Sequence, residues 1–241
     1  MDFTYEQIAK MIDHSLLNPT LTWSEIEKGL QIARDYNTAS VCIMPYALKY
    51  CAEFLAGSTV NPSTTIGFPH GLHTTRIKVA EAEQAMDDGG LELDMVVNIS
   101  KVLSADWVYV AADISAVVQA AHFRQVKVKV IFENCYLQDT HKIRLCQICG
   151  EAGADWVKTS TGYGTGGAMD ADLILMRKYA PPQVQVKAAG GVRTLDRLLE
   201  VRHLGVTRCG ATATITILDE CRQRLGLPPI ESGAKITSPG Y

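Results

Sequence analysis

The sequence predicts an α/β protein that folds as a single-domain (β/α)8 TIM barrel, and three observations support this prediction. The chain has 241 residues, close to the roughly 250 that such barrels usually contain. Short runs rich in β-branched residues alternate with segments of helical period along the whole chain, which is typical of βα units around a parallel sheet. Eight such runs can be counted, whereas the alternative with the same local pattern, an open doubly wound sheet, needs about six.

Each predicted strand is a short, largely apolar run, and the segments between the strands have helical periodicity. Residues 74–90 and 139–154 are two clear examples, with apolar positions recurring every three or four residues and Gly at their ends. In chain order, the predicted strands are residues 11–15, 40–44, 64–68, 91–97, 126–133, 156–160, 184–189 and 207–211.

The sequence indicates one domain, because no Pro/Ser-rich linker, low-complexity tract or change of composition divides it. We expect residues 1–226 to form the barrel. Residues 227–241, LPPIESGAKITSPGY, lack any helical or strand period. We expect this segment to be an irregular C-terminal tail.

Composition and charge favour a small soluble partner. The chain is 47% hydrophobic and 20% charged, with a formal net charge of -3, which offers no basic face for nucleic acid or an anionic membrane. No apolar run approaches the roughly 20 residues that span a bilayer, and the N-terminal residues contain no apolar signal region. We therefore expect a cytoplasmic protein that binds neither nucleic acid nor membrane.

Cysteine and histidine spacing indicates neither disulfides nor a metal site. The seven cysteines are an odd number scattered through apolar segments, as in a protein with reduced thiols. Cys146 and Cys149 form a C-x-x-C within a predicted helix, without the second pair that a zinc site requires. His70 and His73 lack a third ligand nearby in the sequence. We predict no bound metal.

Charged residues interrupt the apolar strands where a barrel would place its active site. Lys158 lies in the sixth predicted strand, Lys187 in the seventh, and Glu92 and Asp94 in the fourth. One strand lysine alone would be explained by ion pairing or a solvated strand end, but two on adjacent strands would meet at the barrel mouth. Each ammonium disfavours protonation of the other, and burial acts in the same direction. One of them is predicted to be a neutral amine able to attack a carbonyl.

Glycine-rich stretches follow both lysine strands, at residues 161–168 and 190–194. Barrels commonly bind phosphate on backbone N–H groups of the loops after strands seven and eight, so a phosphorylated substrate is predicted. For residues 163–167 a loop that binds no ligand is an equally good explanation. The stretch lacks the Lys-Ser/Thr of a P-loop and does not open a first βα unit.

Several motifs, in this order along the chain, resemble those of the 2-deoxyribose-5-phosphate aldolase family: VCIMP, IGFPHG, LELDMVVN, KVIFEN, VKTSTG and VKAAGG, within a similarity from Asp13 to about Thr214. The resemblance implies reversible cleavage of 2-deoxy-D-ribose 5-phosphate into D-glyceraldehyde 3-phosphate and acetaldehyde, without a metal or organic cofactor. It also implies a homodimer whose ligands are aldehydes and sugar phosphates.

The resemblance assigns roles to individual residues. Lys158 would form the Schiff base, Lys187 would be the ammonium that activates it, and Asp94 would shuttle protons. Thr161 and Asp13 would support this network, and Tyr241, the last residue, would exchange a proton with the enamine carbon. Cys42 is placed near the substrate as a packing residue. The residues implied to bind substrate phosphate are Gly162, Gly190, Gly191, Val192, Arg193, Gly210 and Thr212.

Three positions depart from the pattern of the family. Tyr163 stands where some members have a phosphate-binding lysine, Met44 replaces a common asparagine, and Leu91 replaces an acidic residue. These departures leave open a preference for less phosphorylated aldehydes. Two other interpretations also stay open: a different sugar-phosphate lyase or isomerase in which Lys187 only stabilises charge, and a sugar-phosphate-binding barrel without catalytic activity.

Overall fold

A computed structural model of the chain, which describes residues 3–230, contains a closed barrel of eight parallel strands in sequential order. The last strand pairs with the first, with Gly210 opposite Asp13, so the sheet has no free edge. This confirms the predicted fold class. The strands are β1 Ile12–Leu16, β2 Ser40–Ile43, β3 Asn61–Ile66, β4 Glu92–Val96, β5 Lys127–Ile131, β6 Trp156–Lys158, β7 Gln185–Ala189 and β8 Arg208–Ala211.

Helices surround the barrel and connect its strands. They are α1 Tyr5–Ala9, α2 Trp23–Asp35, α3 Leu48–Leu55, α4 Thr75–Asp87, α5 Ile99–Leu103, α6 Trp107–Phe123, α7 Asp139–Ala152, α8 Asp170–Tyr179, α9 Leu195–His203 and α10 Thr214–Arg224. No helix within residues 3–230 is long and apolar enough to cross a membrane.

Local sequence signals account for several helix boundaries. Thr22 begins α2 as a capping box: its hydroxyl accepts from the backbone N–H of Glu25, whose carboxylate accepts from the Thr22 N–H at 2.8 Å. Gly153 ends α7 in the left-handed conformation, at φ 79°, which is accessible to Gly without the strain of a side chain.

All eight predicted strands exist, although their bounds differ from the predicted ones by one to three residues, and the third and sixth show why. β3 begins at Asn61, three residues before the predicted start. Pro62 has no N–H to donate to the sheet, but a proline is tolerated close to a strand start, and its carbonyl accepts from Leu91 N–H at 2.9 Å. β6 ends at Lys158, because the chain then turns to bring Thr161 against the carboxylate of Glu133.

The hydrophobic core lies between the barrel wall and the helices, not inside the barrel. On β7, Val186 and Ala188 belong to this core, and the alternating residue Lys187 points inward. β4 shows the same alternation, with Leu93 in the core and Asp94 inside. The seven cysteines are free thiols, and all but Cys135 are buried. Residues 227–230 form no helix or strand, and the rest of the expected tail lies outside the described residues.

Candidate active site

The polar residues predicted at the strand ends meet inside the barrel. Lys158 and Lys187 are register partners on adjacent strands, and Asp94 reaches both from β4. The Nζ atoms of Lys158 and Lys187 lie 2.8 Å and 2.7 Å from the same atom, Oδ2 of Asp94. Asp13 on β1 also belongs to this group, with its Oδ2 2.5 Å from Lys187 Nζ.

Glu92 also lies against this group, together with two cationic side chains that the sequence pattern did not single out, Lys129 and Arg208. Lys129 Nζ is 2.8 Å from Asp94 Oδ1 and 2.6 Å from Glu92 Oε2. Arg208 contacts both Glu92 and Asp13. Period-two alternation on β5 places Val128 and Val130 on the core-facing side and Lys129 on the opposite side. Applied to that strand, it could have indicated that Lys129 points into the barrel.

Of the two lysines in the site, Lys158 is the one whose pKa is lowered, and burial is the largest cause. Lys187 lowers it further, while Asp94 opposes both effects. Burial also acts against the charged form of Lys187, but Asp13 and Asp94 outweigh it, so its pKa is raised. The pKa values of the two lysines therefore shift in opposite directions, downwards for Lys158 and upwards for Lys187. The activation comes first from burial and only second from Lys187.

Asp94 remains an ionised carboxylate despite complete burial. Burial alone would raise its pKa, but Lys129, Lys158 and Lys187 together hold it well below its usual range. Asp13 behaves in the same way, since Arg208 and Lys187 overcome the effect of burial and lower its pKa. The site therefore presents a lysine with a lowered pKa beside ionised carboxylates.

A cavity of about 340 Å³ opens above the two lysines. Lys158, Lys187, Asp13 and Thr161 line it together with Cys42, whose pKa is raised by burial, as expected of an uncharged packing thiol. The residues implied to bind phosphate all line the same cavity: Gly162, Gly190, Gly191, Val192, Arg193, Gly210 and Thr212. Every predicted site residue within residues 3–230 therefore lines this cavity, apart from Asp94. Asp94 lies beneath the lining, where it contacts Lys158 and Lys187.

Close approach of two loops shapes the glycine-rich side of the cavity. Gly190 has φ 84°, a conformation that favours glycine. A Cβ on it would lie 2.9 Å from Gly167 Cα. The carbonyl of Gly190 also accepts from Ala168 N–H at 3.0 Å. The glycines therefore allow the loop after β6 to lie against the loop after β7.

Thr161 and Tyr163 fix the loop that follows β6. Glu133, buried and in the left-handed conformation at φ 58°, accepts from the backbone N–H of Thr161 at 3.2 Å and also contacts its hydroxyl. The Tyr163 hydroxyl donates to the carbonyl of Leu17 at 2.6 Å, and its ring lies edge-on to Phe68 with 5.5 Å between centroids. Tyr163 thus spans the barrel mouth.

A second cavity of about 560 Å³ lies on the other side of Tyr163 and is lined mainly by apolar residues, with His70 and Glu133. The loop histidine His73 does not line it. Within residues 3–230, no group of three His, Cys, Asp or Glu side chains is placed to hold a metal ion. Tyr241 lies outside the described residues.

The family of the chain follows from its similarity to known proteins. A family model described as DeoC/LacD family aldolase matches residues 7–219. The chain belongs to the DeoC/LacD aldolase family. The predicted resemblance is confirmed, and the protein is an aldolase with a (β/α)8 barrel.

Relatives of this aldolase match it over nearly their full length. The deoxyribose-phosphate aldolase of Rhodopirellula baltica is 61% identical over 240 residues, which cover 100% of this chain and 99% of the relative. That of Thermococcus gammatolerans is 45% identical over 217 residues, covering 89% and 96%. The tetrameric deoxyribose phosphate aldolase structure from Aeropyrum pernix is 29% identical, with a TM-score of 0.84 over 92% of this chain and 93% of that one.

Proposed function

We propose that this aldolase reversibly cleaves 2-deoxy-D-ribose 5-phosphate into D-glyceraldehyde 3-phosphate and acetaldehyde through a Schiff base on Lys158. The observation that carries the proposal is one shared cavity: a buried lysine with a lowered pKa and the glycine-rich loops both line it. An amine beside a backbone-lined pocket suits a substrate with an aldehyde at one end and a phosphate at the other.

The first step is addition of the neutral Lys158 amine to the C1 aldehyde of the open-chain sugar. The carbinolamine that forms loses water and becomes a protonated imine. Asp94 supports this step because it lies 2.8 Å from Lys158 Nζ and stays ionised, so it can accept and return a proton. Lys187, held charged by Asp13 and Asp94, balances the carboxylates as these protons move.

Cleavage then breaks the C2–C3 bond, as the products require, because acetaldehyde carries away C1 and C2. The C3 hydroxyl loses its proton as the bond electrons flow into the imine, which leaves an enamine on Lys158 and releases D-glyceraldehyde 3-phosphate. Protonation of the enamine at C2 and hydrolysis of the imine return free lysine and acetaldehyde. Every step uses side chains and water, and no cofactor enters the proposal.

The phosphate is proposed to bind on the glycine-rich side of the same cavity. Backbone N–H groups of Gly162, Gly190, Gly191 and Gly210 are the candidate donors, with Val192, Arg193 and Thr212 beside them. Thr161 supports the site by fixing the loop through Glu133. Tyr163 is tied to Leu17 instead, so this proposal gives it no phosphate contact.

Two measurements test the reaction. Cleavage of 2-deoxyribose 5-phosphate should be faster than cleavage of 2-deoxyribose, because only the phosphorylated sugar can bind the glycine-rich side of the cavity. Equal rates would favour a less phosphorylated substrate.

Treatment with acetaldehyde and borohydride should leave one ethyl adduct, mapped by mass spectrometry to Lys158. Lys158→Leu should lose both the adduct and cleavage, with Lys142→Leu as the control on a lysine outside the barrel. Binding without turnover would identify a barrel without catalytic activity.

We also propose a barrel unit of residues 1–226 and a tail, 227–241, whose Tyr241 protonates and deprotonates the enamine carbon. Tyr241→Phe should slow deuterium exchange at C2 of acetaldehyde and leave adduct formation on Lys158 unchanged. Exchange at the parent rate would refute the role of the tail.

The proposed assembly is a homodimer, and the proposed compartment is the cytoplasm, which the free thiols of all seven cysteines support. Analytical ultracentrifugation tests the assembly, because a tetramer like that named for the Aeropyrum pernix protein would sediment with twice the mass of a dimer. Cell fractionation tests the compartment.

A further inference from the structure

Seven ionisable side chains inside the barrel touch one another in a single group, here called the interior cluster. Its contacts run from Arg208 to Glu92 and Asp13, from Lys129 to Glu92 and Asp94, and from Asp94 and Asp13 to Lys187. Lys158 joins it only through Asp94. The members are Asp13, Glu92, Asp94, Lys129, Lys158, Lys187 and Arg208.

The charges of the interior cluster balance only if one of its cationic residues is neutral. Three members are carboxylates and four are lysine or arginine, and the side chains of all except Arg208 are at most 3% exposed. An unbalanced charge in such a buried region is strongly unfavourable. Lys158 has one carboxylate contact, whereas Lys129, Lys187 and Arg208 each have at least two. Lys158 is therefore the member that loses its proton most readily.

Arg208 and Glu92 lie at the closed end of the barrel, away from the substrate. They are the first residues of β8 and β4, and neither lines the cavity. Two hydrogen bonds join them, Nη2 to Oε1 at 2.7 Å and Nη1 to Oε2 at 3.1 Å. The Arg208 guanidinium also lies 5.1 Å from the ring centroid of Trp156. Lys129 connects Glu92 to Asp94, and Asp13 connects Arg208 to Lys187.

We propose that Arg208 and Glu92 are positioning residues that set the charge of the interior cluster, so that Lys158 is its one neutral lysine at neutral pH. The inference rests on the proposed Schiff-base function and extends it to two residues that do not line the substrate cavity. Lys129, Lys187 and Arg208 together supply three positive charges. These balance the three carboxylates, so Lys158 can be neutral. Without Arg208, two lysines would face three carboxylates, and protonation of Lys158 would restore the balance.

The other groups of residues 3–230 that face Lys158 leave the number of charges in the interior cluster unchanged. Asp94 reaches it from β4, Lys187 from β7 and Cys42 from β2. The Cys42 thiol is uncharged because burial raises its pKa. Asp13 on β1 and Lys129 on β5 are already members of the interior cluster. Glu133, after β5, directs its carboxylate to Thr161 at the barrel mouth.

The test is the pH dependence of imine formation in the full-length enzyme, measured as the rate of adduct formation on Lys158 with acetaldehyde and cyanoborohydride between pH 5 and pH 10. The acidic limb reports the pKa of Lys158, because only the neutral amine reacts. Arg208→Met should move this limb to higher pH by about one to two pH units. Arg208→Lys, which keeps the charge, should leave it close to that of the parent.

The double variant Glu92→Gln with Arg208→Met removes one charge of each sign and should return the limb toward its parent position. Glu92→Gln alone should move it to lower pH, so the proposal stays testable if Arg208→Met does not fold. If Arg208 acts only through packing, adduct formation should be impaired in Arg208→Lys as in Arg208→Met. The double variant should then be more impaired than either single variant.

Coincident acidic limbs for the parent and Arg208→Met, or an unshifted limb in Glu92→Gln, would overturn the proposal. Failure of the Schiff-base function itself gives a different result, the absence of an adduct on Lys158 in the parent at every pH.

Discussion

Lys158 and Lys187 lie opposite each other in the β6–β7 register, and both donate to one oxygen atom, Oδ2 of Asp94. One carboxylate oxygen cannot fully neutralise two ammonium groups at this distance. Lys187 has a second carboxylate, Asp13, at 2.5 Å, whereas Lys158 has no second one among residues 3–230. This asymmetry explains why burial and charge lower the pKa of one lysine and raise that of the other.

The first prediction concerns Lys187→Met. Loss of this ammonium removes a neighbour that lowers the pKa of Lys158, so that pKa should rise and less neutral amine should be present at pH 7. We expect at least about a tenfold slower imine formation at pH 7 and recovery toward the parent rate as the pH rises. Lys187→Arg keeps the charge and is the control. A parent-like rate at pH 7 in Lys187→Met would contradict this account.

The second prediction concerns the contact between the two glycine-rich loops. Gly190→Ala places a Cβ 2.9 Å from Gly167 Cα at φ 84°, so the loops must separate. We expect a lower preference for 2-deoxyribose 5-phosphate over 2-deoxyribose, by about tenfold if one backbone contact of roughly 1.5 kcal/mol to the charged phosphate is lost. Gly153→Ala has a similar φ of 79° and open space around it, and it should lose stability without losing this preference. Equal preference ratios in the two variants would contradict the prediction.

The sequence predicted the barrel and most of the site because both depend on local pattern. Period-two alternation and strand order are enough to place Lys158, Lys187 and Asp94 at one barrel mouth. The motif resemblance added the glycines that line the same cavity. These features required no knowledge of contacts between distant strands.

The closed end of the barrel could not be predicted in this way. Alternation on β5 could have indicated Lys129 but gives no sign of Arg208, because only the closure of β8 onto β1 brings Arg208 to Asp13. Glu133 was missed because its left-handed backbone, which directs the carboxylate to Thr161, has no signal in the sequence. The sequence predicted that burial and Lys187 both lower the pKa of Lys158, but not that burial is the larger cause, since burial depends on the whole fold.

The third prediction concerns Tyr163→Phe, which removes the hydrogen bond to the Leu17 carbonyl and keeps the ring against Phe68. A hydrogen bond of this kind contributes about 1 kcal/mol, which corresponds to roughly a fivefold change. Because the bond holds the loop that lines the cavity, we expect KM to rise about fivefold with little change in kcat. Tyr136→Phe, in the second cavity only, is the control. A fall in kcat at constant KM would instead assign Tyr163 to the chemical steps.

The fourth prediction concerns stability and His14, which lies on β1 outside the catalytic group. His14 is buried, its Nδ1 is 2.7 Å from Thr214 Oγ1, and burial lowers its pKa from 6.5 to about 4. Between these values the unfolded chain binds a proton that the folded protein does not bind. The contribution of His14 is therefore complete above pH 6.5 and is lost as the pH falls towards 4, up to about 3 kcal/mol.

Urea unfolding of the parent and of His14→Asn at pH 7 and pH 4 measures this contribution. The asparagine amide can keep a hydrogen bond to Thr214 but does not titrate in this range. Protonation of the other acidic groups lowers the free energy of unfolding equally in the parent and the variant. The difference between the two proteins therefore reports His14 alone. The parent should lose about 3 kcal/mol more than the variant between the two pH values. Parallel losses would show that His14 can be protonated without leaving its buried position against Thr214.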